Sequence, residues 1–71
     1  MSMLELMRKA AELQRDGKHL EAARLYTLLA VMELASHDFL GAAVHLQAAL
    51  ESTEQLKDLM VENMIASGDF E

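Results

Sequence analysis

Apolar residues recur at helical spacing along almost the whole chain. Met3, Leu6, Met7, Ala10 and Leu13 form one stripe, with Glu5, Arg8, Lys9, Glu12 and Arg15 on the other side. This predicts a first helix from about Met3 to Asp16. Ser2 and Glu5 stand three apart at its start, the spacing of a capping box in which each side chain satisfies the other's backbone N–H. Glu5 and Lys9 add an i,i+4 pair worth a few tenths of a kcal/mol. Gly17 falls where a left-handed residue would end the helix.

A second helix follows from about His19 to Ala35. Its first half is amphipathic, with Ala22, Leu25, Tyr26 and Leu29 on one face. From Leu25 onward Glu33 is the one charge, and a helix apolar on nearly all sides is one that neighbours cover. It should therefore be the central element. Ser36-His37-Asp38 marks the next turn, with Ser36 or Asp38 as N-cap. Beyond it Phe39, Ala43, Leu46 and Leu50 share a face, with Ala42 and Ala49 beside them. Small residues at 42, 43, 48 and 49 permit close helix approach.

The stretch Ser52-Thr53-Glu54-Gln55 reads in two ways. Ser52 and Gln55 could form a second capping box and open a fourth helix. The stripe Ala42, Leu46, Ala49, Thr53, Leu56, Met60 instead runs through without a phase break. A continuous helix of about 28 residues would be about 42 Å long and would overhang the first two. Length therefore favours a break. The fourth helix would carry Leu56, Leu59, Met60, Met64 and Ile65 on its apolar face and end at Gly68. The expected fold is all-α, a compact bundle of three to four antiparallel helices in a single domain spanning residues 1–71.

The two turns echo one another. Asp16-Gly17-Lys18-His19-Leu20-Glu21-Ala22-Ala23 matches Ser36-His37-Asp38-Phe39-Leu40-Gly41-Ala42-Ala43 in pattern, and Ser67-Gly68-Asp69-Phe70-Glu71 begins the same way. The offsets differ, so this is no strict repeat. It reads as a shared solution for helix–turn–helix junctions, or as the end of a longer helical array.

Composition sharpens this picture. The chain has 71 residues, no Pro and no Cys, so no disulfide or thiolate metal site staples a domain near the lower size limit. Small unstapled domains often bury apolar surface in an oligomer, so a homodimer is a fair expectation. Charge is uneven. Residues 1–35 carry five basic and five acidic side chains, while residues 36–71 carry Lys57 against seven acids, which places the whole net charge of −6 in the second half. A phosphate backbone or an anionic lipid surface would be repelled there, so neither nucleic acid nor membrane insertion is expected. Leu25 to Met32 is far short of the roughly 20 residues of a membrane span. The N-terminus shows no basic-then-apolar leader, and an intracellular, cytoplasmic location follows as an expectation.

Candidate chemistry is sparse. His19, His37 and His45 read as surface or turn histidines. His37 and His45 lie about 12 Å apart along a helix, too far to share a metal. A shielded general acid would have to be Glu33, which reads better as facing solvent at a gap or pairing with Arg24 or Lys9. No phosphate loop, nucleophile–base pair or His-Glu metal motif is present, so neither an enzyme nor a cofactor is expected. The six methionines read chiefly as core, with an adaptable binding surface as the alternative.

The opening hairpin resembles a tetratricopeptide repeat through Ala10, Gly17, His19, Glu21-Ala22 and Tyr26. It departs from that pattern in that His19 replaces an aromatic, the closing Pro is missing, and Leu29 and Ala30 invert the small-then-large order. Asp38 to Ala43 looks like another such turn but comes too soon for a 34-residue repeat. Glu5-Leu6-Met7-Arg8-Lys9-Ala10, Gly17, Glu21-Ala22 and Leu25-Tyr26, with Glu54-Gln55-Leu56-Lys57-Asp58-Leu59, resemble the three-helix MIT domain. Both resemblances imply a groove between helices that receives a peptide or helix of a partner protein. Asp38-Phe39-Leu40 also resembles the helix start of carrier proteins, but Phe39 stands where those carry their modified Ser, so no phosphopantetheine could attach. The expected function is non-enzymatic protein–protein interaction. The candidate site lies beside the first two helices, at Arg8, Arg15, Tyr26 and Leu29. The alternative is homodimerisation through the C-terminal helix at Met60, Met64 and Ile65.

Overall fold

A computed structural model describes the backbone of residues 2–67 and side chains through Asn63. Those residues form α1 (Met3–Arg15), α2 (His19–Ala35) and α3 (Phe39–Ser67), with no strand among them. The expected capping box is present. The Glu5 N–H donates to Ser2 Oγ at 3.1 Å, and the Ser2 N–H reaches Glu5 Oε1 at 3.4 Å.

Both turns are Schellman motifs. After α1, Lys18 N–H donates to the Leu13 carbonyl at 2.8 Å and Gly17 N–H to Gln14 at 3.2 Å, with Gly17 left-handed at φ 80°. After α2, Asp38 N–H donates to the Glu33 carbonyl at 2.8 Å and His37 N–H to Leu34 at 3.1 Å. Here the left-handed position is held by His37 at φ 63°. The sequence echo between the turns is therefore one backbone solution used twice. Asp38 is the N-cap of α3, its Oδ1 accepting from the Gly41 N–H at 3.0 Å.

The expected break near Ser52 does not occur, and α3 is one helix of 29 residues. Ser52 is fully buried and caps nothing, while Thr53 Oγ1 turns inward to donate to the Leu50 carbonyl at 2.8 Å. The helix runs on because its packed positions are Ala42, His45, Ala49 and Ser52, at heptad-like spacing, and their small size lets α3 lie close along α2. The result is elongated, 47 × 20 × 12 Å, rather than a compact bundle. The expected overhang is real. Towards its far end α3 carries exposed Leu59, Met60 and Val61, with Leu59 still facing His19 at the start of α2. Gly68 and the third copy of the turn pattern lie outside the described residues.

α2 packs against both α1 and α3, which touch each other only marginally. The core gathers Leu6, Ala10 and Leu13 of α1, Ala22, Tyr26 and Leu29 of α2, and Ala49 of α3, with Met3, Leu25 and Ala48 partly buried around it. The expectation that α2 is covered nearly all round fails. Leu28, Val31, Met32 and Leu34 are exposed, because the two neighbouring helices occupy adjoining sides and leave the rest open. The face Phe39, Leu46, Leu50 also turns outward. Of the ten buried hydrophobic residues six are alanines, so this core is built on close approach rather than on large side chains.

Candidate functional site

One polar cluster is built into the α2–α3 seam. Glu33, near the end of α2, and His45, two turns into α3, are both buried, and His45 Nδ1 stands 2.5 Å from Glu33 Oε1. With Glu33 as a carboxylate, which only accepts, the imidazole donates from Nδ1. The other face of the ring stacks on Tyr26, with centroids 6.0 Å apart and planes 18° from parallel. Tyr26 in turn donates its hydroxyl to Gln14 Oε1 at 3.1 Å, linking α1 to the same network. Gly41 completes the cluster. A Cβ there would strike the second Glu33 oxygen and Asp38 Oδ2, so the absence of a side chain makes room for both carboxylates.

This corrects two expectations. Glu33 neither faces solvent nor pairs with Arg24 or Lys9, and His45 is neither a surface nor a turn histidine. A buried carboxylate needs a partner close in space, and the turn at residues 36–38 supplies one. The two side chains meet across the α2–α3 seam, and no spacing in the sequence marks them as partners. Both are buried, so the pair is a contact between two helices rather than an open site.

The other residues singled out from sequence separate in space. Tyr26 and Leu29 are buried in the core. Arg8 and Arg15 are exposed on α1, and Met60 is exposed on the overhang of α3. The structure therefore does not gather these residues into one open site. The side chains of Met64 and Ile65 lie outside the described residues.

Shallow depressions occur among the described residues. One, of about 470 Å³, is lined by Ala43, Val44, Gln47, Ala48 and Glu51 on a single side of α3. The other, of about 300 Å³, lies between His19 and the α3 residues Gln55, Asp58, Leu59 and Glu62. His19 Nδ1 is buried there without a hydrogen-bond partner among the described residues. No group of three His, Asp or Glu side chains among the described residues is placed to hold a metal ion. No helix among them is long and apolar enough to cross a membrane.

Among the described residues there is also an exposed apolar face. On α3, Phe39, Leu46 and Leu50 project to the side away from α1, since Ala48, a quarter-turn to the other side, is the one that packs towards the core. On α2, Ala23 and Ala30 are buried outside the cluster that holds the α1 residues, and Val31 and Leu34 follow them round the helix on that flank, away from Ala22 and Leu29. Sequence reading grouped Phe39, Leu46 and Leu50 correctly but could not say which face α2 would take. No family model, curated protein or solved structure matches this chain.

Proposed function

We propose that this chain is a non-enzymatic protein–protein interaction module that receives an apolar helix or peptide of a partner. The observation that carries this reading is the outward face formed by Val31, Leu34, Phe39, Leu46 and Leu50, all exposed and adjoining across two helices. Contiguous apolar surface of this kind on a water-facing domain marks an interaction site. The tight helix–turn–helix geometry at Gly17 and His37 supports a hairpin module of the tetratricopeptide or MIT kind, with antiparallel helices. Arg8 and Arg15 are exposed on α1, away from this face, and would serve a separate contact with an acidic segment of a partner.

The test is capture of partners by the wild type, Leu46→Glu and Arg15→Glu. Loss of specific partners with Leu46→Glu, at unchanged helicity, is the expected result. Retention of every partner by both variants would remove the reading.

A second reading, homodimerisation through the C-terminal part of α3, is favoured by the exposed Leu59, Met60 and Val61 towards its far end.

A further inference from the structure

We propose that the outward face of α2 and α3 is covered by a second copy of this chain, packed face to face about a two-fold axis. The inference rests on the interaction-module reading and names its occupant.

Charge is the first argument. Between Leu25 and Met32, and again between Phe39 and Leu50, there is no Asp, Glu, Lys or Arg. The face made by these two stretches offers no ion to pair with a basic, acidic or phosphorylated partner. It is matched by another uncharged apolar face, and its own copy supplies one. Asp38 borders the face at the N-cap of α3, and the other acids of α3 sit elsewhere. Glu51, Glu54, Asp58 and Glu62 occupy the far half of α3. In a two-fold pairing the uncharged halves overlap and the acidic halves point to opposite ends, so two molecules each of charge −6 meet without bringing like charges together.

Area is the second argument. Val31, Leu34, Phe39, Leu46 and Leu50 are 57, 45, 64, 47 and 56% exposed. With on the order of 150–200 Å² for a whole large apolar residue, they present about 400–550 Å². Two copies therefore bring together about 800–1,100 Å² from these side chains alone. Thr27 and Ala43, also exposed, lie between them at helical spacing and add to it. The sum comes to the lower bound of roughly 1,000–1,200 Å² for a specific interface.

The third argument is the core. Leu6, Leu13, Tyr26 and Leu29 are its only buried large hydrophobic residues among those described, against fifteen exposed ones. A small cysteine-free core of this kind supplies little stability by itself, and burial in an oligomer adds to it. The partner that is present wherever this chain folds is the chain itself.

Sedimentation of the full 71-residue chain across about 5–500 μM tests the proposal. The wild type should pass from one-chain to two-chain mass. Leu46→Glu should raise the dissociation constant at least about tenfold at unchanged helicity, while Leu4→Glu, on an exposed α1 position outside the face, should leave it within about threefold. Val31→Gln is the milder variant should Leu46→Glu lose helicity, and it should weaken association in the same direction. A single-chain mass throughout the range overturns the proposal. So does a dimer that Leu46→Glu and Val31→Gln leave intact, or one that Leu4→Glu disrupts equally. If the wild type stays monomeric yet loses other proteins on Leu46→Glu substitution, the self-pairing is wrong and the interaction-module reading stands. If neither copies nor other proteins bind, both fall.

Discussion

Removing the Glu33 carboxylate should nearly unfold this domain, and removing its partner as well should rescue it. Glu33 and His45 are both under one-tenth exposed and face each other at 2.5 Å. Glu33→Ala leaves the imidazole buried without its acceptor. Breaking one side of a buried pair typically costs about 3–5 kcal/mol. A domain of this length has roughly 4–10 kcal/mol in total, so the variant should retain little. His45→Ala should cost a similar amount, with about 0.5–1.5 kcal/mol of it from the lost stacking on Tyr26. The double variant Glu33→Leu, His45→Leu replaces both polar groups with apolar ones of comparable size and should fall within about 1 kcal/mol of the wild type. Urea unfolding followed by far-UV circular dichroism gives the three values. Chain concentration must be held constant, because self-association makes stability concentration-dependent. The reasoning is refuted if Glu33→Ala costs less than about 1 kcal/mol, which would place the carboxylate in water. It is refuted equally if the two alanine costs add independently in Glu33→Ala, His45→Ala, since groups in contact must couple.

Three further substitutions separate local helix chemistry from packing. Gly41→Ala would stabilise an ordinary helix interior by about 1 kcal/mol, but here the new Cβ meets the Glu33 and Asp38 carboxylates. A net loss of about 1–2 kcal/mol, or about 5–10 °C in Tm, is expected in a thermal melt, and a rise would show that both carboxylates move aside freely. His37→Gly relieves a left-handed backbone at φ 63°. It should raise stability by about 0.5–1 kcal/mol against the cost of a more flexible unfolded chain, whereas a lower Tm would mean that the edge contact of His37 with Phe39, 5.9 Å between centroids, outweighs the strain. Ser52→Ala removes a fully buried hydroxyl without a partner among the described residues. It should stabilise by about 0.5–1.5 kcal/mol, and a loss on urea titration would point to a bound water at Oγ.

Local rules made most of the backbone legible in the sequence. The Ser2–Glu5 capping box, the left-handed Gly17 and the bounds of α2 all follow from interactions within a few residues. The face that each helix buries does not. Phe39, Leu46 and Leu50 are larger and more apolar than Ala42, Ala49 and Ser52, so hydropathy alone turns the larger set inward. Steric fit reverses this, because α2 offers Ala23 and Ala30 and the helices gain more by approaching closely along small residues. The break at Ser52 is inferred from length instead, because a helix longer than its neighbours overhangs them. A serine that packs against a neighbouring helix is indistinguishable in sequence from one that caps a new helix. Glu33 and His45 were each visible as polar residues in apolar surroundings, but their pairing depends on the register across the second turn, which is a tertiary property.

Putting small residues inside and large ones outside has an energetic consequence. Close alanine packing gives α2 and α3 a fixed register but limited hydrophobic free energy, since large apolar residues such as Leu34, Leu46 and Leu50 keep about half of their area in water. That surface contributes only when something covers it, at about 25 cal/mol per Å² before the cost of association. Folding and association are therefore linked, and what binds the face also stabilises the fold by mass action. The polar pair fits the same logic. With so few large side chains to interlock, α3 could slide one turn along α2 and still bury alanines, but such a slide would strand Glu33 and His45 apart inside the seam. The buried pair sets the register, and the register in turn aligns Leu46 and Leu50 with Val31 and Leu34 as one continuous face.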